Sequence, residues 1–172
     1  MRPEVTILGA RPSRRRILTL ALGTVAAGFL AMPLAAQAQS AAEVTYMKPK
    51  AAYDAVQSGE IILLDIRRPD EWAATNVAEG AVGLDMRDDD FVPTLVALRR
   101  ANPDTPIALI CRTGGRSDYV TKALAAQGFP GLVDVSEGMV GGANGPGWLK
   151  RGLPTYVGSA QNVQARRKAL LE

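Results

Sequence analysis

Residues 106–117 read Pro106-Ile107-Ala108-Leu109-Ile110-Cys111-Arg112-Thr113-Gly114-Gly115-Arg116-Ser117. The first six are apolar throughout, which predicts a strand buried on both faces. Two adjacent glycines then predict a tight turn. From Ser117 to Gln127 a helix is expected, closed by Gly128. Strand, glycine turn and helix in direct succession form a unit from which parallel sheets are built.

Similar units lie on both sides. Ile61-Ile62-Leu63-Leu64-Asp65-Ile66 predicts a second doubly buried strand, and Leu132–Val135 a third. Shorter strands are expected at Val44–Tyr46 and Gly80–Met86. Pro49–Gln57, with Gly59 beyond its end, predicts a helix. Pro69–Ala74 suits a short helix with Trp72 turned inward. Phe91–Arg100 suits another, with Asp88-Asp89-Asp90 before it and arginines at its end, as the helix dipole favours. The acid triplet is therefore read as a helix start, not as a metal site. Trp148–Lys150 suits one turn, and Val163–Leu171 a terminal helix or tail. This alternation predicts an α/β domain over about residues 44–157, with a mainly parallel sheet covered on both faces.

Composition removes several chemistries. With 47% hydrophobic and 22% charged residues, the chain can build a packed core. It has no histidine, so no Ser-His-Asp or Cys-His pair and no imidazole-ligated metal. It has one cysteine, Cys111, so no internal disulfide and no cysteine-cluster metal site. No metal is expected. The net charge of +3 belongs to the first segment. Residues 1–38 hold five arginines and one acid, leaving 15 basic and 16 acidic residues, a net of −1. No nucleic-acid partner is expected.

What remains is a thiol in an electropositive loop. Cys111 ends a buried strand, at the edge where open α/β sheets bind ligands. The amides of Arg112 to Ser117, curled ahead of a helix, are expected to form an anion cradle. Arg112 and Arg116 add positive charge, and a thiol so placed is expected to work as the thiolate. The alternative is an inert cysteine ending a core strand. Asp65 and Arg67 end another buried strand and are read as structural support, an ion pair or loop tether.

Cys111-Arg112-Thr113-Gly114-Gly115-Arg116-Ser117 resembles the active-site loop of the rhodanese (sulfurtransferase) domains. The likeness extends over about residues 47–157. It takes in Leu63-Leu64-Asp65-Ile66-Arg67, Pro69-Asp70-Glu71-Trp72, Gly80-Ala81, Glu137-Gly138-Met139 and Gly147-Trp148 through Gly152-Leu153-Pro154. One departure is Thr75-Asn76-Val77-Ala78-Glu79, where the family usually has Gly-His-Ile before Gly-Ala. The resemblance implies a three-layer α/β/α domain with a five-stranded, mainly parallel sheet. It also implies sulfur transfer through a persulfide on Cys111, with no cofactor. The implied partners are a small sulfur donor (thiosulfate or a persulfide) and a thiol or cyanide acceptor. Arg116 is expected to hold the donor's anionic end, and the loop amides the transferred sulfur.

Two other readings bear on the same residues. Phosphatases and arsenate reductases use Cys-x5-Arg, whereas Cys111 and Arg116 give Cys-x4-Arg, a smaller cradle. A binding module or persulfide carrier serving a periplasmic partner protein is the other. The glycine-rich stretch Gly138–Gly147 is then a partner-facing loop, as against a plain surface turn.

The first segment reads as an address. Arg14-Arg15-Arg16 precedes the uncharged run Ile17–Leu34 and the small-residue site Ala36-Gln37-Ala38. These are the three parts of a secretory signal peptide, with a twin-arginine-like n-region. Residues 1–38 are therefore expected as a signal, 39–46 as a leader, 47–157 as the domain and 158–172 as a tail or short helix. The expected location is the periplasm, with membrane contact only through an uncleaved signal. N-terminal sequencing of the exported protein should begin at Gln39 or within a few residues. Intact Met1 in a soluble cytosolic pool contradicts this reading.

Overall fold

The structure is a computed structural model, and it describes residues 42–172. The proposed signal segment and its cleavage site lie outside the described residues. Among the described residues, no helix is long and apolar enough to cross a membrane.

The apolar runs become a parallel sheet because each can be buried on both faces only between helices. Its strands are β1 (Val44–Met47), β2 (Ile62–Asp65), β4 (Val82–Gly83), β5 (Ile107–Ile110) and β6 (Leu132–Val135). Their order is β1-β6-β5-β2-β4, all parallel, so β5 is central. The register sets Leu64 beside Leu109, and Leu109 beside Asp134.

Side chains alternate along β5, and so divide the core in two. Ala108 and Ile110 face one cluster, with Leu63, Val133 and Val135, beneath α1 (Pro49–Gln57) and α5 (Gly147–Lys150). Ile107, Leu109 and Cys111 face the other, with Leu95 and Leu98 of α3 (Phe91–Ala101) and Leu124 of α4 (Gly115–Ala126). Helices thus cover both faces of the five-stranded sheet, as the sequence implied.

Three local outcomes differ from the sequence reading. The strand expected over Gly80–Met86 contracts to β4, because Gly80 takes a turn conformation (φ +84°) and Ala81 N–H bonds back to Ala78. A two-stranded antiparallel ribbon appears instead, from β3 (Val77–Ala78) and β7 (Thr155–Tyr156). Helix α4 begins at Gly115, not Ser117, so the second glycine and Arg116 already lie in its first turn.

Residues 158–172 form α6 (Ala160–Leu171), N-capped by Ser159, whose Oγ accepts from Asn162 N–H at 3.2 Å. Its Val163 is buried in the cluster with Trp72. Arg166 lies 3.8 Å over the Tyr156 ring and pairs with Glu79 at 2.9 Å. Arg167 pairs with Asp90, so part of the acid triplet serves this packing.

Gly83 sits beneath α6, where an added Cβ would lie 2.7 Å from Val163 Cγ1 and 3.1 Å from the Trp72 ring. Gly83→Ala should therefore destabilise the domain by about 1–3 kcal/mol. Val163→Ala in the same chain should recover part of that loss, since it clears the clashing methyl. Denaturant melts of the two single variants and the double variant check this. Strict additivity would show that the close approach is not the cause.

Candidate active site

The site is built at the carboxyl edge of the sheet from the ends of β2 and β5, helix α2 (Pro69–Thr75), and the glycine-rich segment after β6. Cys111 follows β5 directly, and its side chain is fully buried. Two donors reach its Sγ: Gly114 N–H at 3.2 Å and the Ser117 hydroxyl at 3.5 Å. Of the amides expected from Arg112 to Ser117, only that of Gly114 bonds this sulfur. Gly114 permits the curl because it is left-handed (φ +92°), and an added Cβ would fall 1.9 Å from Ser136 O.

The glycine-rich stretch has a definite function in the packing. Met139 N–H donates to Cys111 O at 2.8 Å, and Val140 N–H to Arg112 O at 2.9 Å. An added Cβ on Gly138 would lie 2.7 Å from the Arg112 carbonyl. The start of the stretch, Gly138 to Val140, therefore straps the cysteine loop, while Gly142 to Asn144 is exposed and turns back through the Gly142–Gly145 bonds. Its own start is fixed by Glu137, whose carboxylate accepts from Gly147 N–H at 3.0 Å and from Arg151 at 2.6 Å. The strap holds the backbone of the loop, while the Cys111 side chain is buried in the core cluster it shares with Leu95, Leu98 and Leu124.

Asp65 and Arg67 form the expected structural pair. Arg67 Nε donates to Asp65 Oδ1 at 2.9 Å and Nη2 to Oδ2 at 2.7 Å. Its other donors reach Thr75 Oγ1 and Asn76 O, both at 2.6 Å, and Glu71 O at 3.4 Å. Burial pushes the Asp65 carboxyl up, and Arg67 opposes the shift. Thr75 and Asn76, which stand in the departure from the family pattern, thus serve as the Arg67 anchor.

Arg116 differs from the sequence reading. It is expected there to hold an incoming anion. The structure gives its guanidinium to Glu71, with Nη1–Oε2 2.8 Å and Nη2–Oε1 2.6 Å. This forked pair takes one N–H from each Nη, and the other three donors of Arg116 have no partner among the described residues. Arg116 holds Glu71 down to about 2, with burial opposing and the Arg68 backbone N–H assisting. Arg112 is free instead. It is exposed, and among the described residues its side chain makes no hydrogen bond or ion pair. It lines a cavity of about 210 Å³ with Arg67, Arg68, Glu71, Thr75 and Val140. Thr113 is exposed beside Gly142, while Gly115 opens α4.

Comparison with known proteins gives the family. The profile of the Rhodanese-like domain matches residues 48–144. The chain belongs to the rhodanese-like family. A relative from Rickettsia prowazekii, Uncharacterized protein RP600, is 23% identical over 105 residues, covering 58% of this chain and 85% of that one. Rv0390 from M. tuberculosis shares the fold, with a TM-score of 0.52 and 22% identity, covering 67% of this chain and 98% of that one. A polysulfide-sulfur transferase homodimer from Wolinella succinogenes has a TM-score of 0.51 and 26% identity, over 66% and 78% of the two chains. Family and neighbour together support a sulfurtransferase-like function in general terms.

For this rhodanese-like domain, two residues near the cysteine escape sequence reasoning. Glu71 is visible as part of a family-like turn, but its partner lies 45 positions away. Asp134 has a local signal, since it is the one charge inside the apolar strand Leu132–Val135. The Glu71–Arg116 pair yields a pH prediction. Glu71 is lowered from 4.5 to about 2, so the stability it contributes is complete above pH 4.5 and is lost as pH falls toward 2. Arg116→Ala should return the Glu71 midpoint toward 4.5 and flatten that part of the acid loss. Carbon-detected NMR titration and acid melts check both; an unmoved Glu71 midpoint contradicts the pairing.

Proposed function

We propose that this domain is a sulfurtransferase that moves sulfane sulfur from a small anionic donor such as thiosulfate to a thiol or cyanide, through a persulfide on Cys111. The observation that carries the reading is the single cysteine set between the Gly114 amide and the Ser117 hydroxyl, with its chain neighbour Arg112 lining a cavity that also holds Arg67, Arg68, Asp70 and Glu71. The sulfur-transfer chemistry of the Wolinella relative supports the same class.

The proposed reaction has two steps. The Cys111 thiolate attacks the outer sulfur of thiosulfate. A sulfur–sulfur bond forms to Sγ, and the bond to the sulfonate sulfur breaks, so sulfite leaves with that electron pair. The new sulfur lies about 2 Å beyond Sγ. The acceptor then attacks this outer sulfur, and its bond to Sγ breaks to return the thiolate. The preorganised Gly114 N–H and Ser117 hydroxyl suit the charge that shifts between these sulfurs. Arg112 is the cation proposed to receive the donor's oxyanion end, with Arg116 and Glu71 fixing the loop. The cavity of about 210 Å³ has room for a small anion, and its two acids, Asp70 and Glu71, are paired with Arg68 and Arg116. Asp65 and Arg67 act only as support. Residues 1–38 are proposed to deliver the domain to the periplasm. A dedicated carrier for one protein acceptor shares the first step and differs in the second.

Exposure to thiosulfate followed by mass spectrometry should find one added sulfur, on Cys111. Cys111→Ser should stay folded, take up no sulfur and lose transfer to cyanide. Substantial transfer by the serine variant rejects the proposal, whereas loading without turnover to cyanide indicates the carrier. Arg112→Ala should raise the thiosulfate KM by roughly one to two powers of ten, as expected for a charge-assisted contact of about 1.5–3 kcal/mol. Arg116→Ala should instead impair all donors alike and lower thermal stability.

A further inference from the structure

Strand β1 is an edge of the sheet, and β6 lies beside it. Tyr46 and Asp134 are register partners on these two strands. Partners in register point to the same face, so both side chains stand on one side of the sheet. The Tyr46 hydroxyl donates to Asp118 of α4 at 3.3 Å, so this is the side that α4 covers. Tyr46, Asp118 and Asp134 line one cavity of about 590 Å³ with Lys122, Ser136 and Asn144, and Gly114 and Gly115 complete its wall. It shares no lining residue with the arginine-lined cavity that holds Arg112.

Asp134 is the unusual member of this lining. It is 1% exposed, and its Oδ1 has no hydrogen-bond partner among the described residues. A buried polar oxygen without a partner is rare, because it has given up water and gained nothing in return. The donors around the cavity are committed elsewhere. Lys122 Nζ reaches Asp118 at 2.8 Å. Asn144 Nδ2 donates to Ser136 O at 2.9 Å, and the Ser136 hydroxyl to Met47 O at 3.3 Å. Gly114 N–H is turned to Cys111 Sγ. Lys122 thus neutralises Asp118, while among the described residues no cation pairs with Asp134. Burial pushes the Asp134 carboxyl up to about 6. Above that pH, two carboxylates and one ammonium leave the lining with one unmatched negative charge.

We propose that this cavity binds a small primary alkylammonium, with its N–H groups on Asp134 and its alkyl chain along the Tyr46 ring. What the site lacks is a positively charged hydrogen-bond donor, and an ammonium brings three N–H groups on one cation. Tyr46 is 52% exposed, so its ring is open to a cation and its chain. A metal ion is the poorer match. The described residues bring no three of His, Cys, Asp or Glu together, and hard cations take six or more oxygen ligands. An anion meets the unmatched carboxylate and is repelled. Gly114 belongs both to this wall and to the donor pair on Cys111, so an occupant rests against the cysteine loop.

The test reads binding, not turnover, and so is separate from the sulfurtransferase reading. n-Butylammonium chloride is titrated into nitrogen-labelled protein at a pH well above 6. The Gly115 N–H and Asn144 side-chain amide signals should shift and saturate. Nuclear Overhauser contacts should join the first methylene of the amine to the Tyr46 ring and the Asp134 β-protons. Tetramethylammonium has the same charge but no N–H, and should bind roughly ten-fold more weakly or worse. Asp134→Asn, which removes the charge at nearly constant shape, should weaken butylammonium by roughly the same factor. Shifts that fail to saturate, or equal affinity for the two ammonium ions, overturn the proposal. So does unchanged affinity in folded Asp134→Asn. Calcium chloride that saturates the same signals at lower concentration makes this a metal site and also overturns it. Should Asp134→Asn fail to fold, the Overhauser contacts in the unsubstituted protein decide, and their absence at saturation counts against the site. Failure of sulfur loading on Cys111 with amine binding intact rejects the sulfurtransferase reading alone.

Discussion

The guanidinium of Arg67 is the group on which the rest of the site depends. All five of its N–H donors find acceptors at the carboxyl end of β2, inside α2 and at the C-terminal end of α2. A fully buried charge is tolerable only when paired and hydrogen-bonded in this way. Removing either partner of the Asp65 pair leaves the other charged and dry, at a cost of about 3–5 kcal/mol. Because Arg67 fixes α2, it fixes Glu71, and because Glu71 forks onto Arg116, it fixes the first turn of α4. The curl around the Cys111 sulfur is thus held from β2, not only from β5.

A second restraint closes the curl from the other side. The Gly138 strap lies so near the Arg112 carbonyl that no side chain fits between them. Its two backbone bonds, to Cys111 O and Arg112 O, occupy acceptors that a free loop would turn to water. Between strap and salt bridge the loop has little freedom. That rigidity suits a site in which one N–H and one hydroxyl must stay within reach of a single sulfur atom.

The division of labour between the two loop arginines follows from geometry. They stand four residues apart and are chemically identical, yet Arg116 lies on the first turn of α4, facing α2, while Arg112 lies in the loop beside an open cavity. One becomes a clamp and the other stays available. Asp134 is a third case of position deciding role. A carboxylate at the same sheet height on an exposed strand would be an ordinary surface charge, whereas beneath α4 it is buried and pushed toward neutrality.

Much of this was set by local sequence. Apolar runs such as Ile107–Ile110 have no stable setting except between two layers, so the parallel sheet and its helices follow from pattern alone. The loop from Cys111 to Ser117 declared its chemistry through residue type: one thiol, two glycines and two arginines in seven positions. The ribbon of β3 and β7 was not legible, because two-residue strands carry no periodicity and exist only through a partner about 78 residues away. Nor was the assignment of Arg116 to Glu71, the strap of Gly138 to Val140 across the loop backbone, or the burial of Asp134 beside Leu109. Each of these depends on which strands are neighbours and in what register. A residue's type is fixed by its own position in the chain, but its charge partner is fixed by chain folding that brings distant positions within a few ångströms.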